Sequence, residues 1–117
     1  MRGILWMLVL VCGLAAACSR PTGKVRGVAP RGEPHTVLAV QAGDAPTLLT
    51  VRGRMIEKCP VAGCWFRLDD ETGIIKVDTK SAGFVVTDIP LNTLLTVGGK
   101  IGHEGQETII EATGLRY

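Results

Sequence analysis

The sequence predicts an all-β protein: a small, strongly curled barrel of five strands, or six, carried behind an N-terminal leader and a Pro/Gly-rich stretch. Three observations point there. Apolar and polar residues alternate with a period of two from Leu48 to Tyr117, the pattern of half-buried strands. No window in that stretch carries a convincing helical period. Gly53, Gly98 and Gly99 fall inside the alternating runs, where glycine marks a bulge or a sharp bend at a barrel corner.

The leader comes first in the chain. Arg2 precedes an apolar run from Gly3, which closes on Ala15-Ala16-Ala17-Cys18. A basic start, an apolar middle and small residues at a cleavage point make a signal peptide. Ending on cysteine, it resembles a bacterial lipoprotein signal, cut before a Cys that carries lipid. The usual Leu three residues before that Cys is Ala15 here, with Leu14 one place further back. The expectation is a signal over 1–17 and lipidation of Cys18. An ordinary secretory signal cut after Ala17 and an uncleaved anchor are the alternatives. The apolar run is short for a span, which takes about 20 residues. Lipidation with more than one acyl chain gives stable anchoring, at about 0.8 kcal/mol per buried methylene. The expected location is the bacterial cell envelope, on the periplasmic side of a membrane. Ser19 is compatible with an outer membrane. Cys12 lies inside the leader and is discarded with it.

Residues 18–47 carry Pro21, Pro30, Pro34 and Pro46 with Gly23, Gly27, Gly32 and Gly43, a composition that suits a tether. Within it, Thr36-Val37-Leu38-Ala39-Val40 is apolar enough to dock as an extra strand. The domain proper is expected over 48–117. Its first strand places Val51, Gly53 and Met55 on one face and Arg52 and Arg54 on the other. In the second, Cys64, Phe66 and Leu68 alternate with Trp65, Arg67 and Asp69. Asp70-Glu71-Thr72-Gly73 is a turn. Ile75 and Val77 then alternate with Lys76 and Asp78. A longer link runs through Ser81-Ala82-Gly83, Phe84-Val85-Val86 and the Pro90 loop. Leu95, Val97, Gly99 and Ile101 alternate in the fourth strand, His103-Glu104-Gly105-Gln106 reads as a hairpin turn, and the last strand starts at Ile109-Ile110 and ends near Leu115. Five such strands with a long link between the third and fourth fit a barrel of the oligonucleotide/oligosaccharide-binding (OB) type. A small sandwich or another small barrel is the runner-up.

The chain has formal charge +2, from 13 basic and 11 acidic residues. The charges are spread along it, so the electrostatic footprint of nucleic-acid binding is missing and no nucleic acid is expected as a partner. A basic stretch beside the lipid, Arg20, Lys24, Arg26 and Arg31, could favour anionic head groups, but a solvated spacer is the simpler account.

Chemistry concentrates in two places. Cys59 and Cys64 are spaced C-x4-C in the first turn. In an oxidising compartment so close a pair usually bridges, and a disulfide staple is the expectation. The alternative is a metal or thiol-redox site. The first and last hairpin loops of an OB barrel meet at one end, which would bring His103 and Glu104 to Cys59 and Cys64, with Zn or Cu as the cofactor. Met55 is a core residue rather than a soft ligand. On the disulfide reading there is no cofactor. The second place is an outward face of Trp65, Arg52, Arg54, Arg67 and Lys76. In register these form a basic stripe around one aromatic, fit to stack on a sugar ring and hold an acidic group. Its competitor is a solvated face with Trp65 covered. With His35 and His103 as the chain's two histidines, a Ser/His/Asp triad is hard to build, and no enzyme is expected. Asp69-Asp70-Glu71 lies in a turn and lacks the EF-hand pattern.

The segments Val51-Arg52-Gly53-Arg54, Cys59-Pro60-Val61-Ala62-Gly63-Cys64-Trp65-Phe66-Arg67-Leu68, Gly83-Phe84-Val85-Val86 and Leu95-Thr96-Val97-Gly98-Gly99 resemble a group of small bacterial envelope proteins of OB fold, uncharacterised as a group and often lipoproteins or secreted. The resemblance runs from about Leu48 to Leu115 and turns on the unusual Gly-Cys-Trp tripeptide. It implies the OB fold and an envelope location, and no particular activity. The expected role is a lipid-anchored binding or accessory module for an anionic glycan, a lipid head group or a partner envelope protein.

Overall fold

Every strand expected from the alternation forms, and the expected inward residues are buried except Cys64 and Ile101, which are half-buried. A computed structural model describes residues 23–117; the signal and Cys18 lie outside the described residues. The elements are β1 (Val25–Gly27), α1 (Val37–Gln41), β2 (Leu48–Lys58), β3 (Trp65–Asp69), β4 (Ile74–Asp78), β5 (Leu94–Glu104) and β6 (Glu107–Arg116). β2 pairs β3, β3 pairs β4, β4 pairs β6, β6 pairs β5 and β5 returns to β2, closing a five-stranded barrel. The β4–β6 pairing is parallel and the others are antiparallel. Closure leaves no edge within the ring. With its first strand β2, its long link between β4 and β5 and its strand order, this is the OB-like barrel.

β2 is long enough to serve two neighbours. Leu48 to Arg54 pair with β5, and Arg54 to Lys58 pair with β3. The register shifts between Met55 and Glu57, so Ile56 is a bulge residue that bends the strand from one neighbour to the other. The register of β5 against β6 also shifts between Gly98 and Gly99, where the two strand glycines sit. Gly53 works differently: a Cβ there would meet the Asp69 carbonyl oxygen at 2.5 Å, so glycine permits close approach of β2 to the end of β3. Val51, Met55, Phe66, Leu68, Ile75, Val77, Leu95, Val97, Ile110 and Leu115 fill the barrel, each with at most 1% of its surface exposed. Val86 and Ile89, from the link between β4 and β5, join the same core.

Two expectations about the N-terminal stretch are corrected. Val37–Gln41 is a helix, not a strand. Thr36 caps it, its Oγ1 accepting from the Ala39 N–H at 3.1 Å, and Val37 and Val40 point together into the core. Three residues apart on a helix share a face, and a strand would have put them on opposite ones. The β3–β4 turn completes the seat. Asp70 Oδ2 accepts from the Val37 N–H at 2.8 Å, and Gln41 Nε2 donates to the Ile74 carbonyl at 2.7 Å. The described part of the expected tether, 23–47, is docked on the barrel rather than free of it. Its extra strand is β1, antiparallel to the C-terminal half of β6. Arg26 locks it in place through two hydrogen bonds to the Asp88 carboxylate, one to the Val85 carbonyl at 2.7 Å and one to the Tyr117 hydroxyl at 2.8 Å. Composition alone missed this because prolines and glycines are equally at home in a fitted coat of turns.

Candidate functional site

The alternation of β3 sends Phe66 and Leu68 inward and turns Trp65 and Arg67 out. β4 lies beside it with Lys76 opposite Arg67 and Asp78 opposite Trp65. Trp65 is half-buried, with the Lys76 ammonium 5.3 Å and the Arg67 guanidinium 6.0 Å from its ring centroid, the range of cation–π attraction. Three of the five residues expected on one face therefore do meet around the indole.

The same cations also face carboxylates. Lys76 Nζ is 3.0 Å from Glu104 Oε2, Arg67 Nη1 is 3.1 Å from Glu107 Oε1, and Arg67 Nε is 3.7 Å from Glu57 Oε2. The two cations at the ring are thus each faced by a carboxylate, and the expected basic stripe is not a basic stripe. Glu57 sits opposite Arg67 on β2, and Glu104 and Glu107 are paired across the β5–β6 hairpin. Their outward positions follow from the alternation, but which cations they would reach depends on a register that the sequence does not display.

Arg52 and Arg54 lie elsewhere. They point outward from β2, as expected, into an open cleft of about 660 Å³ together with Pro34, Ile56, Asn92 and Leu94. Arg54 Nη1 donates to the Asn92 carbonyl at 2.9 Å. The carboxylates of the β3–β4 turn line this cleft as well. Asp70 is spent on structure: besides Val37 it accepts from the Thr72 N–H, the Thr72 hydroxyl and the Gly73 N–H. These hydrogen bonds hold its carboxyl below the usual range, against the opposing effect of burial.

The cysteine turn borders Trp65. The Cys59 N–H donates to the Trp65 carbonyl at 3.0 Å, and the Gly63 N–H donates back to the Cys59 carbonyl at 3.2 Å. Gly63 has φ +59°, and its carbonyl accepts from the Val86 N–H at 2.9 Å, tying the turn to the β4–β5 link. The expected Cys59–Cys64 bridge is not present; both cysteines are free thiols, each half-exposed. The groups that favour the Cys59 thiolate are the backbone N–H groups of Ala62, Val61 and Gly63 and the Cys64 side chain. These lower the Cys59 thiol from its ordinary 9.0 to about 7. His103 does not join them. It is exposed near the end of β5, opposite Thr108. Among the described residues no three His, Cys, Asp or Glu side chains are grouped to hold a metal ion, so the expected Cys59, Cys64 and His103 metal set is corrected: the three residues are not brought together.

No family model and no curated protein matches the chain. Among solved structures it is similar to that of the hypothetical protein ygiW from E. coli, with a TM-score of 0.56 and 18% sequence identity, over 76% of this chain and 95% of that one. At this identity the likeness shows the fold.

Proposed function

We propose that this chain is a lipid-anchored binding module of the bacterial cell envelope, held at Cys18, that takes an oligosaccharide on the Trp65 face. The observation that carries the reading is the half-exposed indole flanked by Lys76 at 5.3 Å and Arg67 at 6.0 Å on adjacent strands. In OB barrels the second and third strands, here β3 and β4, together with the first and last hairpin loops, form the surface that receives oligomers. A sugar ring offers an apolar face to stack on the indole and a rim of hydroxyls. The mixed rim of Arg67, Lys76, Glu57, Glu104 and Glu107 supplies donors and acceptors for those hydroxyls. It also withdraws support from a purely anionic ligand, since both cations already face carboxylates. The leader pattern ending at Cys18 and the Gly-Cys-Trp resemblance support the envelope location.

Calorimetric titration of neutral and carboxylated oligosaccharides into the protein tests the reading. A stacked aromatic anchor at a binding hot spot contributes about 2 kcal/mol or more, so Trp65→Ala should weaken binding about 30-fold. Binding that survives Trp65→Ala unchanged sinks the proposal. The anchor has its own test: Cys18→Ser should move the protein from the membrane fraction to the supernatant.

A further inference from the structure

We infer that Cys59 and Cys64 form a reversible dithiol–disulfide couple on the rim of the Trp65 face, with Cys59 the attacking and Cys64 the resolving thiol. This goes beyond the binding reading and does not depend on it. The placement of the two cysteines carries the inference. Cys59 opens the turn half-exposed, its N–H on the Trp65 carbonyl at 3.0 Å and its carbonyl accepting from the Gly63 N–H at 3.2 Å, so the turn folds back on it. Lys58 pairs Phe66 just beyond, so Cys64, at the far end of the same turn, is brought back beside Cys59. The backbone N–H groups of the turn favour the Cys59 thiolate, which makes it the attacking partner. Val61, 89% exposed at the apex, and the half-exposed sulfurs leave the turn open to a partner.

The reaction partner is a disulfide, of a protein or of a small thiol. Cys59 thiolate attacks one sulfur of the disulfide R–S–S–R. A Cys59–S–S–R bond forms, the R–S–S–R bond breaks, and RS⁻ leaves and takes a proton from water. Cys64 then loses its proton to water and attacks Cys59 Sγ. The Cys59–Cys64 bond forms and a second RS⁻ departs. Over both steps the protein dithiol is oxidised by two electrons and the disulfide is reduced to two thiols; the reverse sequence regenerates the dithiol. The change reaches the neighbouring face, because the ring would close over the Cys59 N–H to Trp65 carbonyl bond and the residue next to Trp65 in the chain.

The full chain, reduced and then equilibrated in buffers running from reduced to oxidised glutathione, provides the test. After acid quench and alkylation, the tryptic peptide 59–67 carries both cysteines and Trp65 in one mass. The expected result is a peptide that carries two alkyl groups when reduced and, as oxidised glutathione increases, gives way to an unalkylated form two hydrogens lighter than the free dithiol, the change reversing with the ratio. Cys64→Ser should trap glutathione on Cys59, whereas Cys59→Ser should give at least fivefold less adduct on Cys64 in the same time. A bridge that stays closed under excess reduced glutathione would show a structural staple and overturn the couple. Thiols that remain free in oxidised glutathione, or a Cys64→Ser protein that gives no adduct, would overturn it as well. Native-like circular dichroism of both variants ensures that a missing adduct reports chemistry and not unfolding.

Discussion

Gly63→Ala isolates the feature that gives Cys59 its character. Gly63 has φ +59°, a conformation that residues with a side chain rarely adopt, and a Cβ there would meet the Thr87 backbone nitrogen at 2.8 Å and Thr87 Cγ2 at 2.6 Å. The turn must open, and the backbone N–H groups that lower the Cys59 thiol move away from it. With the thiol at about 7, half of Cys59 is thiolate at pH 7; at the ordinary 9.0, about 1% would be. The thiolate fraction therefore falls about 50-fold in the variant. A more basic thiolate is the better nucleophile, with a Brønsted slope of about 0.4–0.5, and over two units this returns a factor of about 8. The net loss in alkylation rate at pH 7 is about sixfold, and the midpoint of the rate against pH moves from about 7 toward 9. Iodoacetamide labelling of peptide 59–67 between pH 5 and about 10, read by mass, measures both quantities, since that range brackets both values. The direction is fixed by the sign of the shift: donors to sulfur favour the charged form and lower the value. A wild-type midpoint at 9, or a variant indistinguishable from wild type, refutes the reasoning.

Further outcomes follow from other contacts. Gly114→Ala would drive a Cβ into the backbone of Val28, next to β1, and should cost about 1–3 kcal/mol and expose Arg26 to trypsin, measured by urea midpoint and limited proteolysis. Phe66→Ala, at a position with no exposed surface, should cost about 3–5 kcal/mol in the same urea experiment. The Asp88 carboxyl is held down to about 2 by its hydrogen bonds with Arg26, so its contribution to β1 docking is complete above the ordinary 3.8 and is lost as pH falls through about 2. Amide exchange at Val25–Gly27 should then rise in strong acid, and Asp88→Asn should bring the same rise at neutral pH. Arg67→Glu should weaken oligosaccharide binding, while Arg52→Glu and Arg54→Glu should leave it unchanged, because those two arginines open into a different cleft.

The barrel was legible because its signal is local. Period-two alternation assigned the inward residues of β2, β3, β4 and β5, and strand glycines at 98 and 99 marked the bulge that the β5–β6 register shows. The coat of residues 23–47 was not legible. β-branched Val37 and Val40 read as strand, and the competing signals were a Thr36 cap and hydrogen bonds to Asp70 and Ile74 that exist only after the chain has folded back. The same limit divided the candidate site. Trp65, Arg67 and Lys76 come from adjacent strands and were found together. Arg52 and Arg54 share their outward direction but sit further along β2, where Arg54 pairs with Asp69 rather than Arg67. Glu104 and Glu107, which neutralise the face, depend on how a distant hairpin lies across it. Cys59 and Cys64 were found by spacing, while the lowered Cys59 thiol depends on the backbone path of the turn.

Tryptophan fluorescence is the most direct test of the Trp65 face. The chain has two tryptophans, Trp6 and Trp65, so the emission that Trp65→Phe removes belongs to Trp65 alone. The account predicts that an oligosaccharide panel contains at least one member that shifts this emission saturably, with the shift absent in Trp65→Phe. Oligosaccharides bound with calorimetric heat but with no change at Trp65, or no member of the panel bound at all, would contradict it.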